Sequence, residues 1–422
     1  ILCDRHATED AGDCFGLCLA YSGSFTAMAQ KDQRDQIRVQ MGINPYQFRW
    51  CLTEGETFFA PQVILSFSNQ GFSKLSHQYH DILHEHMCRG RYKHERRPVL
   101  INNWEATYFD FTEDRLVKIA KKAKECGIEL FVLDDGWFGN RRSDRAGLGD
   151  WIVNKKLLPN GIEGLAERIE ELGMQFGLWI EPEVINKDSN LYRQHPDWIL
   201  QTPGRTDSHG RYQYVLDYSR REIVDYIYTM IAKILSEAKI SYIKWDMNRS
   251  ITECYSIAYP AERQGEIFHR YILGVYDLYE RLTSEFPKVL FESCASGGGR
   301  FDPGMLYYAP QGWTSDDSDA IERLKIQYGT SMCYPISSMG SHVSVIPNHQ
   351  VFRNTPLHTR ANVAYFGTFG YELDLNKLSD SEIEEVKAQI LFMKKYRQML
   401  QFGTFYSCLL YTSPSPRDRS LS

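Results

Sequence analysis

The sequence lacks the features that would place it in several special classes of protein. No stretch approaches the roughly 18 consecutive apolar residues of a membrane-spanning helix. The start, ILCDRHATED, has neither a signal-peptide pattern nor an initiating methionine, so we expect the natural N-terminus to lie further upstream. The net charge of −6 arises without any dense block of lysine and arginine. We therefore expect a neutral small-molecule substrate, with neither nucleic acid nor a membrane as partner.

The cysteines also lack a pattern. There are 10 in 422 residues, with no CxxC pair and no regular spacing, which favours reduced thiols and a cytoplasmic location over a disulfide framework. A content of 43% hydrophobic and 24% charged residues is typical of a globular chain and excludes disordered and collagen-like classes.

Changes in composition and in the hydrophobic pattern divide the chain into four parts. Residues 1–70 contain short alternating segments such as QIRVQMGI, typical of antiparallel strands, and are expected to be the end of an incomplete N-terminal β-sandwich domain. Residues 71–97 are predicted to form a helical connector. From 98 to 406, short apolar strands alternate with amphipathic helices, which predicts an α/β fold of the (β/α)8 TIM-barrel type. The segment 407–422, rich in Ser, Pro and Arg, is expected to be a non-native, disordered tail.

The barrel strands can be proposed individually. Seven candidates are PVLINNW, IELFVLDDGW, MQFGLWIEPE, SYIKWDMN, KVLFESCAS, QGWTSDD and ISSMGSH. Two more, RYQYVLDYS and VAYFGTFGYEL, give nine candidates for eight places. We assign RYQYVLDYS to an inserted hairpin and expect the helix at 379–400 to close the barrel.

One strand, YIKWDMNR, carries three polar residues at alternating positions. Lys244, Asp246 and Asn248 share one face because side chains alternate along a strand. An ammonium two residues from a carboxylate favours the ionised form of both, so Asp246 is a candidate nucleophile or metal ligand held ionised by Lys244. A structural ion pair at the end of a strand is the alternative.

Other strand ends also combine carboxylates with tryptophan. In a TIM barrel the active site lies where these ends meet. Carboxylates accept hydrogen bonds from sugar hydroxyls, and an indole covers the apolar face of a sugar ring. Five of the eight tryptophans follow this pattern, although each alone is more often a core residue: Trp104, Trp137, Trp179, Trp245 and Trp313. The pattern indicates a carbohydrate site.

Glycosidic cleavage requires two carboxyl groups in different protonation states. Asp246 fits the ionised role. Asp316, within WTSDDSDA, fits the acid, because neighbouring like charges raise the pKa of one member. The alternative for this cluster is capping of the following helix, and we expect Asp319 to do part of that capping.

Five motifs then carry a resemblance to a known family. FVLDDGWFG, GLWIEPEVI, YIKWDMNR, CASGGGR and WTSDDSDAIERLKIQYGTS resemble, in order and spacing, the α-galactosidases of glycoside hydrolase family 36, over residues 1–406. The resemblance implies a retaining α-galactosidase acting on oligosaccharides such as melibiose and raffinose, without cofactor or metal, and a tetramer at full length. It implies Asp246 as nucleophile and Asp316 as acid and base.

The same resemblance supplies the sugar contacts. Asp134 and Asp135 would bind the hydroxyls at the axial C4 position and at C6 of galactose, and the CASGGGR turn would form the wall of the pocket near the 2-hydroxyl. Arg211, in the inserted hairpin, would reach over the site. The full set implied for substrate binding is Trp104, Asp134, Asp135, Trp179, Arg211, Lys244, Asn248 and Cys294.

Three alternatives remain open for the function. Asp134, Asp135, Glu181 and Asp246 could bind a divalent metal in a metal-dependent barrel hydrolase, although Lys244 would repel the ion. An α-N-acetylgalactosaminidase would differ mainly in the room near the 2-position. The chain could also be an inactive sugar-binding fragment, which the presence of both aspartates disfavours.

A group of histidines lies outside this constellation. His77, His80 and His84 share one helix face, with His86 and Cys88 nearby, and could bind a metal. We favour a structural role, because no HExxH pattern is present.

Overall fold

The computed structural model describes residues 1–407, and its first elements are short strands. These are β1 Leu2–Cys3, β2 Cys14–Leu19, β3 Phe25–Lys31, β4 Ile37–Ile43 and β5 Val63–Ser68. Strands β1, β2 and β5 form an antiparallel sheet, and β3 pairs with β4 as a hairpin. Alternation along β2 and β5 gives two different faces, and one of them exposes Phe15, Leu65 and Phe67.

Helix α1, Gly71–Ile82, covers the other face of that sheet. Its Leu75 and Tyr79 pack against Cys14 and Cys18 of β2. One π-helical turn, Leu83–Met87, extends it. The domain boundaries predicted at 70, 97 and 406 stay predictions.

Eleven further strands follow, nine of which build one parallel sheet. The strands are β6 Leu100–Asn102, β7 Leu130–Leu133, β8 Gln175–Ile180, β9 Val184–Asn186, β10 Gln213–Val215, β11 Tyr242–Trp245, β12 Leu290–Ser293, β13 Gln311–Trp313, β14 Met339–Gly340, β15 His342–Ser344 and β16 Gly370–Glu372. Their order in the sheet is β14, β13, β12, β11, β8, β7, β6, β16, β15. Because only Ser341 separates β14 from β15, these are two halves of one bent strand and the sheet closes. The predicted eight-stranded TIM barrel is confirmed.

The helices that surround the barrel are amphipathic. They are α2 Trp104–Thr107, α3 Glu113–Cys126, α4 Gly161–Glu171, α5 Asn190–Gln194, α6 Arg221–Glu237, α7 Ile267–Glu285, α8 Pro303–Leu306, α9 Ala320–Ser331, α10 Leu357–Ala364 and α11 Asp380–Phe402. In α3, Leu116, Ala120 and Ala123 recur at helical spacing and are buried. Gly127 ends this helix with φ +96°, a conformation that favours glycine.

The last helix, α11, lies beside α3 and completes the ring, as expected for 379–400. Its start is a capping box, in which Ser379 and Glu382 exchange hydrogen bonds with each other's backbone. Across the chain that the structure describes, no helix combines the length and apolar content that crossing a membrane requires.

Two expectations about strands had different outcomes. RYQYVLDYS lies outside the barrel as assigned, with β10 pairing antiparallel to β9. VAYFGTFGYEL is only partly a strand, because its first residues end α10 and Gly370–Glu372 alone pair. A short apolar run fits a buried helix as well as a buried strand, which explains the error. Of the predicted tail, residues 408–422 lie outside the described residues.

Candidate active site

Polar side chains at the carboxyl ends of the barrel strands line one cavity of about 170 Å³. Its lining comprises Trp104, Glu105, Asp134, Asp135, Trp179, Arg211, Lys244, Asp246, Asn248, Trp313, Asp316, Ser318, His349, Gln350 and Glu372. Nine of the ten site residues predicted from the sequence are among them. A neighbouring cavity of about 310 Å³ shares Asn248 but has no carboxylate in its lining, so chemistry rather than size identifies the site.

The tenth predicted residue, Cys294, is buried directly behind this cavity. It follows β12, and its backbone N–H donates to the Trp245 carbonyl oxygen at 2.7 Å. Burial, and then the charge of Asp246, raise the pKa of its thiol well above the usual value. Cys294 is therefore a neutral thiol beside Asp246.

Asp246 is held by three neutral donors. Trp179 Nε1 and Asn248 Nδ2 donate to its Oδ2 at 3.2 and 2.8 Å, and the backbone N–H of Met247 donates to Oδ1 at 2.9 Å. Hydrogen bonds to a carboxylate favour its ionised form. Asp246 thus lies at the end of β11 as a fixed anion in a polar setting.

The expectation that Lys244 pairs with Asp246 is wrong. Lys244 Nζ contacts Asp134 Oδ2 at 3.0 Å, rather than Asp246. Side chains two residues apart on a strand stand side by side about 6.6 Å apart, whereas the long lysine stem reaches across the barrel interior to the end of β7. Burial alone would lower the pKa of Lys244, but Asp134, then Glu372, and then Cys294 and Asp246 outweigh it and raise that pKa well above the usual value. The ammonium therefore stays charged.

The aspartate pair after β7 is neutralised from two sides. Besides Lys244, Asp134 accepts from Asn102 Nδ2 at 2.6 Å. Asp135 binds Arg141 in a bidentate pair, with Nε at 3.0 Å and Nη2 at 2.7 Å. Burial raises the pKa of Asp135, and Arg141 opposes that rise. With a cation already on each carboxylate, the pair is a poor place for a divalent metal.

Arg141 was missed by sequence reasoning. It is fully buried, yet it lies in the loop GNRRSDR, where neighbouring arginines carry no signal that selects one of them.

Glu181, the remaining ligand of the metal alternative, is fully buried and does not line the cavity. Its carboxylate accepts from the Asn248 backbone at 2.5 Å and from Gln213 Nε2 at 2.9 Å. Burial, and then Asp246, raise its pKa well above the usual value. Glu181 thus supports the backbone beside Asp246 from behind.

Asp316 is in the opposite electrostatic situation to Asp246. It follows β13, and among residues 1–407 no hydrogen bond to its carboxyl group is found. Its pKa is raised, first by the protein walls of the cavity and then by the charge of Asp246, with Lys244 partly opposing. The pKa of Asp316 is thus raised by its surroundings, whereas the donors around Asp246 are arranged to stabilise a carboxylate. Asp319, as expected, caps α9 by accepting from the backbone of Ile321 and Glu322 at 3.1 Å.

The glycines of CASGGGR let two loops touch. Gly297 has φ +79°, and a β-carbon built on it would lie 2.6 Å from Ser315 Cα and from the Asp316 nitrogen. A β-carbon on Gly298 would collide with the carbonyl oxygen of Thr314. This close approach after β12 fixes the backbone that carries Asp316.

Besides Trp313, which the strand-end pattern had singled out, five cavity residues were not among the predicted site residues. Glu105 follows Trp104 after β6 and could have been selected on its position. His349 and Gln350 lie in the loop NHQVFRN, which has no signature of an element, so the sequence offered no signal for them. The others are Ser318 and Glu372.

The histidines of α1 and of the π-helical turn that extends it make structural contacts. Their Nε2 atoms face three different carbonyl oxygens: His77 contacts Phe405 at 2.7 Å, His80 contacts Ser331 at 2.6 Å and His84 contacts Lys93 at 2.6 Å. Burial lowers the pKa of His80 to about 4. These contacts support the structural interpretation.

Within residues 1–407, the grouping spaced for a metal ion is His84, Glu85 and His94. The ammonium of Lys93 lies 2.9 Å from Glu85 and competes for that carboxylate.

Comparison with known proteins agrees with this architecture. The Melibiase family profile matches residues 57–403, and the profile of the glycosyl hydrolase family 36 N-terminal domain matches residues 1–53. The chain is 55% identical to alpha-galactosidase AgaA of Geobacillus stearothermophilus, over 96% of this chain and 56% of that protein. It is 50% identical to the bifunctional alpha-galactosidase/sucrose kinase AgaSK of Mediterraneibacter gnavus, over 96% of this chain and 43% of that protein.

Solved structures of such relatives superpose closely on this chain. The crystal structure of AgaA superposes with a TM-score of 0.95 over 96% of this chain and 56% of that one, and a variant of the same enzyme has been solved in complex with raffinose. The alpha-galactosidase from Lactobacillus brevis, 52% identical, also gives 0.95, over 96% of this chain and 54% of that one. The chain thus spans about half the length of the curated relatives it matches.

Proposed function

Since the chain belongs to the Melibiase family of glycoside hydrolase family 36, we propose that it is a retaining α-galactosidase. One observation carries the proposal: two carboxyl groups of one cavity differ in protonation tendency. Asp246 accepts three hydrogen bonds that favour the anion, whereas burial and Asp246 raise the pKa of Asp316. Glycosidic cleavage requires this division.

In the first step, Asp246 Oδ attacks the anomeric carbon of the galactosyl unit and the bond to the leaving oxygen breaks. Asp316 gives its proton to that oxygen. Trp179 and Asn248 donate to Oδ2 of Asp246, so the other oxygen, which accepts from the Met247 N–H, has fewer donors and is the better nucleophile. The product is a covalent galactosyl ester of Asp246.

In the second step, Asp316 removes a proton from water, which attacks the anomeric carbon and releases Asp246. Two displacements at one carbon restore the original α configuration. Besides the substrate, both steps use only groups of this chain and one water molecule.

The cavity residues predicted from the sequence to contact substrate would bind the sugar. Asp134 and Asp135, oriented by Lys244 and Arg141, would accept hydrogen bonds from the hydroxyls at C4 and C6. Trp104 and Trp179 supply aromatic walls. Cys294 and the CASGGGR turn, which lie behind this lining, would limit the room at the 2-position, so an acetamido group there should be disfavoured.

The substrate class and assembly go beyond these residues. We infer terminal α-galactosyl oligosaccharides such as melibiose and raffinose, in keeping with the raffinose complex of the Geobacillus relative. The tetramer and the cytoplasmic location remain predictions.

The proposal is tested by hydrolysis of p-nitrophenyl α-D-galactoside, compared with its β anomer and its 2-acetamido counterpart. The assay uses this chain and, in parallel, the chain extended with the flanking segments of the Geobacillus relative. Hydrolysis of the α-galactoside alone, with α-galactose as the first product by NMR, is expected. Asp246→Gly should abolish turnover, and added azide should then give β-galactosyl azide. Inactivity of both forms, or β-galactose as first product, would refute the proposal.

A further inference from the structure

The acid segment, residues 315–318, is held through its main chain. Because the carboxyl group of Asp316 has no hydrogen-bond partner within the described part of the chain, its position depends on the backbone that carries it. Arg323 binds this backbone from the barrel side, donating to the carbonyl oxygens of Ser315 and Asp317 at 2.8 and 2.9 Å. Gln350 Nε2 donates to the carbonyl oxygen of Asp316 at 2.8 Å. Neighbouring side chains thus determine where the acid lies.

Glu105 joins the acid segment to a second loop. Its side chain is only 3% exposed. Oε1 accepts from Ser318 Oγ at 2.7 Å and lies 3.2 Å from His349 Nδ1, while Oε2 accepts from the Val345 backbone at 3.0 Å. This second loop, residues 345–350, is the one that supplies Gln350. One buried carboxylate therefore ties together both sides of the contact at Asp316.

We infer that Glu105 is a positioning residue for the general acid, acting through Ser318 on one side and through the loop 345–350 on the other. The inference rests on the proposed role of Asp316. A buried carboxylate with several donors is a rigid anchor, because loss of its partners would leave a desolvated charge unpaired. General acid catalysis depends on the distance from the acid to the leaving oxygen, so loosening this anchor should weaken protonation selectively.

The test varies how much the leaving group needs a proton. Aryl α-galactosides from nitrophenyl to unsubstituted phenyl share one sugar and differ in the basicity of the departing oxygen. The kcat/KM value reports the step that breaks this bond. For Glu105→Ala we expect nitrophenyl galactoside to lose no more than about threefold, and phenyl galactoside to lose about 10 to 100-fold, part of the 10²–10⁴ that general acids contribute.

Asp150→Ala is the matched control. Asp150 is also a buried carboxylate that anchors a loop, accepting from the backbone of Asn190 and Leu191 at 2.8 and 3.0 Å, but it makes no contact with the acid segment. Both aryl substrates should change equally in this variant. A leaving-group dependence as steep as that of Glu105→Ala would overturn the inference, since any loosened loop would then have the same effect.

Asp316→Ala separates the proposed role of Asp316 from that of Glu105. If this variant loses both substrates equally, the acid role assigned to Asp316 is wrong. If it shows the steep dependence and folded Glu105→Ala does not, the inference about Glu105 alone is wrong. Should circular dichroism show Glu105→Ala unfolded, Gln350→Ala decides by the same criterion, because Gln350 is exposed and its loss removes only the contact to the Asp316 carbonyl oxygen.

Discussion

Replacing Gly297 by alanine should move Asp316 without changing any polar side chain of the site. A β-carbon at this position would lie 2.6 Å from Ser315 Cα and the Asp316 nitrogen, about 0.8 Å short of ordinary contact. Both opposing atoms belong to the main chain, so no side chain can rotate away. The acid segment must therefore shift by an amount comparable to the overlap.

The expected loss of activity follows from this displacement of the acid segment. A misplacement of about 1 Å in catalytic geometry costs about 10²-fold in rate, so kcat/KM for an α-galactoside should fall by about that factor. The left-handed backbone, φ +79° at Gly297, adds a conformational cost of about 1–2 kcal/mol for any residue with a β-carbon. Thermal denaturation should register this second cost.

Gly204→Ala separates the two effects. Gly204 has a similar φ of +76°, and its β-carbon would meet no atom within 4 Å. This control should lose stability through the backbone term and keep its activity. Steady-state kinetics and melting temperatures of both variants are the assay. Activity of Gly297→Ala within threefold of the parent would refute the view that this contact sets the position of Asp316.

Three other predictions follow from the charges. Because burial and Asp246 raise the pKa of Asp316, the acid stays protonated to a higher pH than an ordinary aspartate; kcat/KM should then fall as the pH rises through that pKa, and this alkaline limb should be missing from the pH profile of Asp316→Ala. Arg300 contacts the fully buried carboxylate of Glu183 at 2.5 Å, and its charge outweighs the effect of burial, so the pKa of Glu183 is lowered. Arg300→Met would leave that buried charge without its partner and should destabilise the fold by about 3–5 kcal/mol, as measured by urea titration. As the pKa of Glu183 is lowered, the parent's stabilisation from this pair is present at neutral pH and is lost as the pH falls through that folded pKa. Prolonged EDTA treatment should leave activity intact, because Lys244 and Arg141 already neutralise Asp134 and Asp135. A loss of activity that one divalent ion restores would instead support the metal-dependent alternative.

The fold could be predicted because its pattern is repeated. Apolar strands and amphipathic helices alternate along the barrel, and each repeat supports the same interpretation. Errors arose where one segment stood alone. The run VAYFGTFGYEL fits helix and strand equally, and tertiary packing gave its first two residues, Val363 and Ala364, to α10. The bend at Ser341, which splits one strand into β14 and β15, depends on pairing with two neighbours and leaves no local signal.

For the site, the sequence predicted which residues meet but not which of them bind one another. Strand-end position was sufficient to bring Asp134, Asp246 and Asp316 to one cavity. The partner of Lys244 was wrong because nearness along the strand was used for a side chain that crosses the barrel. His349 and Gln350 reach the cavity from a loop whose path is set by contacts with Glu105 and the acid segment, which only the folded chain contains.

The pairing of Lys244 with Asp134, rather than with Asp246, bears directly on the proposed mechanism. Had the ammonium bound Asp246, it would have shielded the nucleophile and weakened its field at Asp316. Because Lys244 binds Asp134 instead, and neutral donors hold Asp246, the charge of Asp246 remains available to raise the pKa of Asp316. That charge disappears when Asp246 becomes an ester. The pKa of Asp316 must then fall, since one of its causes is removed. In the proposed mechanism, Asp316 would thereby act as an acid while the bond to the leaving oxygen breaks and as a base once the ester has formed, and this change of role would require no movement of the protein.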